Sequence, residues 1–526
     1  MNKKTQPWQK GESLFPYVKK NIDVDGFYCG KDLPDRIISS SDPNFSLELG
    51  TADAYLSMSS DIDNEKMRDD VYKKIMAFCE DSSAENEAQL YKTVCRCQCI
   101  SYCETLIDRL AQEELPLKLV HLAENWLYNA PQREAVKFAI IICGIFNLDT
   151  MSRSYELDVK KDLMLLALCE EFTFYIIFAL DMSNITTDDD LWEIISHTRG
   201  WGKIHAMESF TYDTLPKRDW LLSYGSDLSV AYPGIALLGI QEGHMLDFLQ
   251  RPHLGPELYR GILKTLNNYV LFLIDYDSEN ENDPELPFCD TYTLIKECLR
   301  HSVEYNETLE DVILLANLSQ ELKALAANEN WQAISANNCH LLISATEKLI
   351  FHKDWLPEIN SKLVNEDDSI NYLAISFSFA VKVDIRSKLM HLLKENPLRT
   401  ELYAFLLLTR DQKKFNKVLN FARKHLNIYQ NGEHTLDSLL LALSRKNGLG
   451  TEFVIAGLTS IYDSPRSYAL NVLEGWDEEY ITPEIKAALI RAKAMSQHPF
   501  LPLRIDALLK KDHLDLSGFI SSLNNM

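Results

Sequence analysis

Four cysteines crowd one short stretch, Cys95, Cys97, Cys99 and Cys103. Thiolates are soft metal ligands, so the spacing decides what they can do. On a continuous helix Cys95, Cys99 and Cys103 fall at i, i+4 and i+8 and share one face. Zinc needs four convergent ligands, with sulfur about 2.3 Å away, and its sites usually pair two short knuckles across a loop. One straight helix spreads its thiols along a line, so a fourth ligand such as Cys79 has to come from elsewhere. Core packing of apolar thiols is the plainer reading, and a metal or redox site is the alternative. The second candidate is the string Trp201-Gly202-Lys203-Ile204-His205 with Glu208. His205 and Glu208 are three apart and share a helix face. A pocket in front of them would make His205 a base or a ligand. Without one, the string reads as a Gly-Trp-Gly corner whose indole caps a groove between repeats. His121, His197, His244 and His253 stand singly. Thr187-Asp188-Asp189-Asp190 reads as a helix start with acids favoured by the dipole. Trp126, Trp192, Trp201 and Trp220, with Tyr128, Phe172, Phe174, Tyr175 and Phe178, either line an apolar groove suited to a small hydrophobic ligand or fill inter-helix core.

The nucleotide and hydrolase signatures are absent from the sequence. Gly200-Trp201-Gly202 continues with Lys-Ile-His, and Gly448-Leu449-Gly450 carries Phe453 where a third glycine would stand. No G-x-G-x-x-G turn therefore opens a Rossmann site. There is no Walker A loop, no H-E-x-x-H, no pair of Glu-x-x-His strings and no G-x-S-x-G. The Cys-Gly pairs Cys29-Gly30 and Cys143-Gly144 lack the Phe-, Gly- and Arg-rich approach of a haem thiolate loop. The acidic run Asp275 to Glu285 has Asn280 and Leu286 where a calcium loop needs Gly and Glu, and reads as a solvated linker.

Such residues must be positioned by something, and the chain of 526 residues has ample length for a large core. Hydrophobic residues make up 46% and charged residues 25%, which excludes wholesale disorder. Only 19 Gly and 18 Pro are present, too few for the turns of a mostly β chain. The net charge of −24 disfavours nucleic acid and anionic membrane surfaces as partners. No apolar segment follows the basic N-terminus, so no secretory signal is expected. Phe138–Phe146 is too short to span a membrane, and Leu163–Leu180 carries Glu170 and Glu171 at its centre. Eleven cysteines, an odd number, fit reduced thiols in a cytoplasm.

Beyond residue 70 the pattern is helix upon helix. Thr482-Pro483-Glu484 is a start signal, followed by Ile485, Ala488, Leu489 and Ala492 on one face. Ser464-Pro465 opens another, with Ala469, Val472, Leu473 and Trp476. A third starts near Asp384, buries Ile385, Leu389, Leu392 and Leu393, and stops at Asn396-Pro397. The Asp384 and Ser464 starts lie two units of about 40 residues apart, within the range of HEAT and armadillo repeats. The expected fold is all-α, a degenerate HEAT- or armadillo-like α-solenoid with a less regular N-terminal cap. A compact multi-helix domain is the alternative. The expected organisation is a cap over 1–70, a helical-repeat half over 71–274, an acidic linker over 275–287 and a second half over 288–526.

Several strings together carry a family resemblance: Trp201-Gly202-Lys203-Ile204-His205, Asp219-Trp220-Leu221-Leu222, Ser464-Pro465-Arg466-Ser467-Tyr468-Ala469-Leu470, Pro483-Glu484-Ile485 and Leu33-Pro34-Asp35. The chain resembles a bacterial family of large helical-repeat proteins that carries the name limonene hydroxylase. That resemblance implies monooxygenation of limonene to carveol and perillyl alcohol and an NAD-linked perillyl alcohol dehydrogenase activity. It thus implies NAD, an unidentified redox centre and a small apolar terpene as ligands, and it assigns no catalytic residue. Oxygen insertion into a C–H bond requires haem, flavin or a metal. The residues by themselves point instead to a cytoplasmic binding or scaffold protein that takes a protein or peptide on the solenoid face, with no cofactor evident.

Overall fold

A computed structural model describes residues 11–30, 32–35, 48–57, 64–148, 159–276, 286, 290–306, 308–328, 334–426, 436–444, 446–495 and 501–510. The fold is all-α. Among the described residues there is no β-strand, only the isolated bridges Ile22↔Tyr28 and Val364↔Ile370. None of the described helices is long and apolar enough to cross a membrane. The described residues up to Asp354 form one compact unit, and those from Trp355 onward form a second.

In the first unit, Leu14–Lys20, Thr51–Ser57 and the start of Glu65–Glu80 are the helices within the expected cap. The helix Arg133–Ile145 packs on Leu117–Asn129 and Thr173–Met182. It is apolar nearly all round (Ala135, Val136, Phe138 to Cys143 are buried), as befits a helix covered on every side. The apolar stretch 163–180 is two helices, Val159–Ala167 and Thr173–Met182, broken at Glu170 and Glu171. Thr173–Met182 packs in turn on Trp201–Ser209, and Asp188–His197 on both Val159–Ala167 and Trp201–Ser209. Thr187 opens Asp188–His197 with a reciprocal capping box to Asp190, the helix start expected there. Further along, Pro256–Asp275 packs on Leu309–Ala327, and Thr291–Tyr305 on Ala336–Ile350. Residues 277–285 and 287 of the expected acidic linker, Asn280 included, lie outside the described residues. The helices on either side, Pro256–Asp275 and Thr291–Tyr305, pack against each other within the first unit.

In the second unit, Asp384 accepts the Arg386 N–H at the head of Arg386–Glu395, and the helix ends at Asn396 before Pro397. Thr482 Oγ1 accepts the Ile485 N–H at the head of Pro483–Met495, which buries Ile485, Ala488, Leu489 and Ala492. The helix near Ser464 begins two residues earlier than its cap signal implies, at Asp463 rather than Pro465. Ser464 Oγ donates to Asp437 Oδ2 instead, a tertiary contact that outbids the local cap. Glu401–Leu407 packs on Asp437–Leu443, that helix on Asp463–Glu474, and that one on Leu501–Lys510. Alongside, Thr451–Leu458 packs on Pro483–Met495.

Candidate functional site: a cleft beside a buried ionic cluster

Arg133, Glu134 and Lys137 project from the first turns of Arg133–Ile145. The Arg133 guanidinium meets Asp35 Oδ1 at 3.1 Å, Asp32 Oδ1 at 3.2 Å and Glu171 Oε2 at 3.3 Å. Its backbone N–H also donates to Asp35 Oδ2. Lys137 Nζ lies 2.6 Å from Glu171 Oε1, 2.7 Å from Asp53 Oδ2 and 3.1 Å from Glu134 Oε1. A buried charge is tolerated only when paired, so these contacts fasten the 32–35 and 51–57 segments to the helices. Burial opposes charging of Glu171, but Lys137 and Arg133 outweigh it and hold that carboxyl below its ordinary value. Asp53 and Glu134 go the other way: burial raises both, against the pull of Lys137. Lys137 itself stays charged, because Asp53, Glu134 and Glu171 together exceed its own desolvation.

Glu170, next in sequence to Glu171, serves a different purpose. Its Oε1 accepts the Arg199 and Gly200 N–H groups, and its Oε2 those of Gly200 and Gly202. It thereby satisfies orphan donors and the dipole at the head of Trp201–Ser209. A Cβ at Gly200 would stand 2.8 Å from Glu170 Oε2, so the glycine lets the carboxylate approach. The Trp201 indole is buried between Tyr55, Tyr232 and His205. Lys203 is buried too. Its Nζ donates to the Asp227 and Tyr224 carbonyls, and burial lowers its proton affinity.

His205 and Glu208 are brought together, with Nδ1 3.7 Å from Oε2. The ring packs edge-on to Phe174 and beside Trp201. The cysteines do not share one helix. Cys95 terminates Ala84–Val94, Cys99 begins a 3₁₀ turn, and Cys103 begins Cys103–Leu110. Distant contacts fix that break: Glu134 Oε2 accepts the Cys99 N–H at 2.6 Å, and Ser101 O accepts the Asn64 N–H. Burial raises the Cys95 thiol to about 12 and holds Cys99 neutral. Among the described residues no group of three or more His, Cys, Asp or Glu side chains converges as metal ligands. The glycine-flanked head of Trp201–Ser209 is filled by Glu170 and cannot also cradle a pyrophosphate. Neither the cysteine segment nor this helix head therefore offers a metal site or a pyrophosphate cradle. The aromatic residues fall into separate groups. Trp126 packs in the core against Tyr91 and Phe138, whereas Trp192 and Trp220 meet edge to face, with Trp192 exposed.

An open cleft of about 350 Å³ lies beside the head of Trp201–Ser209. Phe27, Tyr28, Cys29 and Gly30 form one side, Glu48 and Leu49 another, and Leu168, Glu170 and His197 to Arg199 the rest. Comparison with family models, with curated proteins and with solved structures finds no match. The cleft therefore stands on its own geometry. Asp23 shapes its first wall: Oδ1 accepts the Asp25 and Phe27 N–H groups, and Oδ2 accepts the Cys29 thiol at 3.1 Å. Phe27 is held edge-on by His197, and the Arg199 guanidinium lies 4.5 Å over its ring. Sequence reasoning placed His197 among the single histidines and passed over Arg199. The only local signal was their place beside the Gly200-Trp201-Gly202 corner.

Proposed function

We propose that the chain is a degenerate HEAT- or armadillo-like solenoid that binds a partner protein or peptide in the cytoplasm. The observation that supports this is the packing in the second unit. There alternate helices form one row, Glu401–Leu407, Asp437–Leu443, Asp463–Glu474 and Leu501–Lys510, while Thr451–Leu458 and Pro483–Met495 pair alongside. Contact between every second helix is what stacked helix pairs produce, each burying an apolar face that it cannot cover alone. Such stacks present extended surfaces suited to chains rather than enclosed cavities. Leu441, Ile461 and Ile490 are exposed apolar side chains along this unit and serve as anchors for the test.

The experiment is affinity capture by the tagged full-length protein from its own host. It is repeated with Leu441→Asp, Ile461→Asp and Ile490→Asp, each checked for unchanged melting. A stoichiometric partner lost in at least one folded variant is the expected result. The same preparation is examined for haem, flavin and iron and incubated with limonene and NAD. Stoichiometric cofactor with turnover to carveol or perillyl alcohol would replace the binding reading with the hydroxylase one.

A further inference from the structure

The cleft beside Arg199 has a donor and acceptor balance that selects a ligand class. Two of its acidic groups are already committed, and a third is committed through one oxygen. Glu170 receives three backbone N–H groups at a helix head. Asp23 receives two N–H groups and a thiol. Glu48 Oε2 takes the Ser229 hydroxyl. The basic side is uncommitted. Arg199 is exposed, and among the described residues its guanidinium makes no hydrogen bond or ion pair; it lies over the face of Phe27 and feels Asp23 and Cys29 only at longer range. A guanidinium over an aromatic ring makes no hydrogen bond to it, so its N–H groups stay available to grip a carboxylate through two parallel bonds. Nδ1 of His197 is used on the Glu193 carbonyl at 2.8 Å, and its ring forms the adjoining wall. Phe27, Tyr28, Leu49 and Leu168 make the apolar part of the lining. About 350 Å³ lies at the small end of the range for ligand sites.

We infer that this cleft binds a small organic acid, with its carboxylate on Arg199 and a flat apolar body against Phe27, Tyr28, Leu49 and Leu168. The remaining oxygen of Glu48 sets a negative charge in the same lining. That disfavours dianions and leaves a single carboxylate at one end as the fitting charge. Nothing in this inference depends on the solenoid reading, and its test does not touch the second unit.

Cys29 lies in the cleft wall and is exposed, so it reports occupancy. The full-length protein is labelled with N-ethylmaleimide at pH 8, and the Cys29 peptide is followed by mass spectrometry. The probes are benzoate, benzyl alcohol, benzylamine and inorganic phosphate at matched concentrations. The expected result is a saturable slowing of Cys29 labelling of about threefold or more by benzoate, with little effect of the other three. Arg199→Gln abolishes the protection and Arg199→Lys keeps part of it, both with wild-type circular dichroism and melting. Equal protection by benzyl alcohol would reduce the site to an apolar crevice. Equal protection by benzylamine or by phosphate would assign the wrong charge or the wrong anion. Absence of benzoate protection, or its survival in folded Arg199→Gln, would equally overturn the inference.

Discussion

The Lys137 ammonium sits 2.6 Å from Glu171 Oε1, with the lysine side chain 1% exposed and the glutamate 7%. Three carboxylates surround that one ammonium. Removing it leaves buried negative charge facing buried negative charge, which is far costlier than the pair itself is stabilising. Lys137→Met should lower the stability of the first unit by about 3–5 kcal/mol, read as an earlier urea midpoint. Adding Asp53→Leu should recover part of the loss by deleting one stranded carboxylate. A single variant within about 0.5 kcal/mol of wild type would show that the cluster is not charged as described.

Glu321 offers a cleaner pH experiment. It stands on Leu309–Ala327, its Oε2 is buried without a hydrogen-bond partner, and burial alone raises its carboxyl from 4.5 to about 7. The folded state then holds a proton that the unfolded chain releases. Its contribution to stability is full below the ordinary value and is lost as pH rises toward about 7. Glu321→Gln should therefore match wild type near pH 4 and exceed it increasingly up to pH 7. Denaturant midpoints across that range decide it, and parallel curves for the two proteins would rule it out.

How much of this was readable in advance depends on the range of each interaction. Thr187 with Asp190 and Thr482 with Pro483 are signals between near neighbours, and the helices start there. The Cys95 to Cys103 break was not readable, because it is set by Glu134 and Asn64, both remote in sequence. Arg133 and Lys137 were invisible for a related reason. Charges at i and i+4 on a helix look like a solvated face until their partners at 32, 35, 53 and 171 arrive. One clue did exist: two glutamates at the centre of the apolar stretch 163–180. That pattern excludes a membrane span, and it equally marks acids that need buried partners. Ser464 shows the reverse failure, a valid local cap spent on Asp437.

Helix crossing sets a third test. Pro256–Asp275 packs on Leu215–Tyr224, and Gly261 lies at the contact. A Cβ there would stand 2.2 Å from the Leu222 carbonyl oxygen and 2.5 Å from that of Ser223. Backbone atoms cannot swing aside, so the helices must separate. Gly261→Ala should cost about 1–3 kcal/mol or more, despite the better helix propensity of alanine. Gly255→Ala is the control, since a Cβ there meets nothing within 4 Å. It should cost less, about 0.5–1 kcal/mol, because it meets no clash and loses only the better N-cap residue. Similar melting shifts for the two variants would contradict the close approach at Gly261.

Asp23 and Cys29 allow a test of the cleft wall itself. The hydrogen bond to Asp23, then partial burial and the nearby negative charge, hold the Cys29 thiol above its ordinary value, against a small opposing pull from Arg199. The thiolate is the reactive form, so Asp23 restrains alkylation of a thiol that is otherwise open to solvent. Asp23→Asn keeps an oxygen for the Asp25 and Phe27 N–H groups while removing the charge. At pH 7.5 the Cys29 peptide should then react with iodoacetamide several-fold faster than in wild type. Cys99 and Cys169, fully covered in the core, should remain unlabelled in both proteins until urea unfolds them. An unchanged Cys29 rate in the folded variant would mean that Asp23 does not hold the thiol, and the wall would have to be built another way.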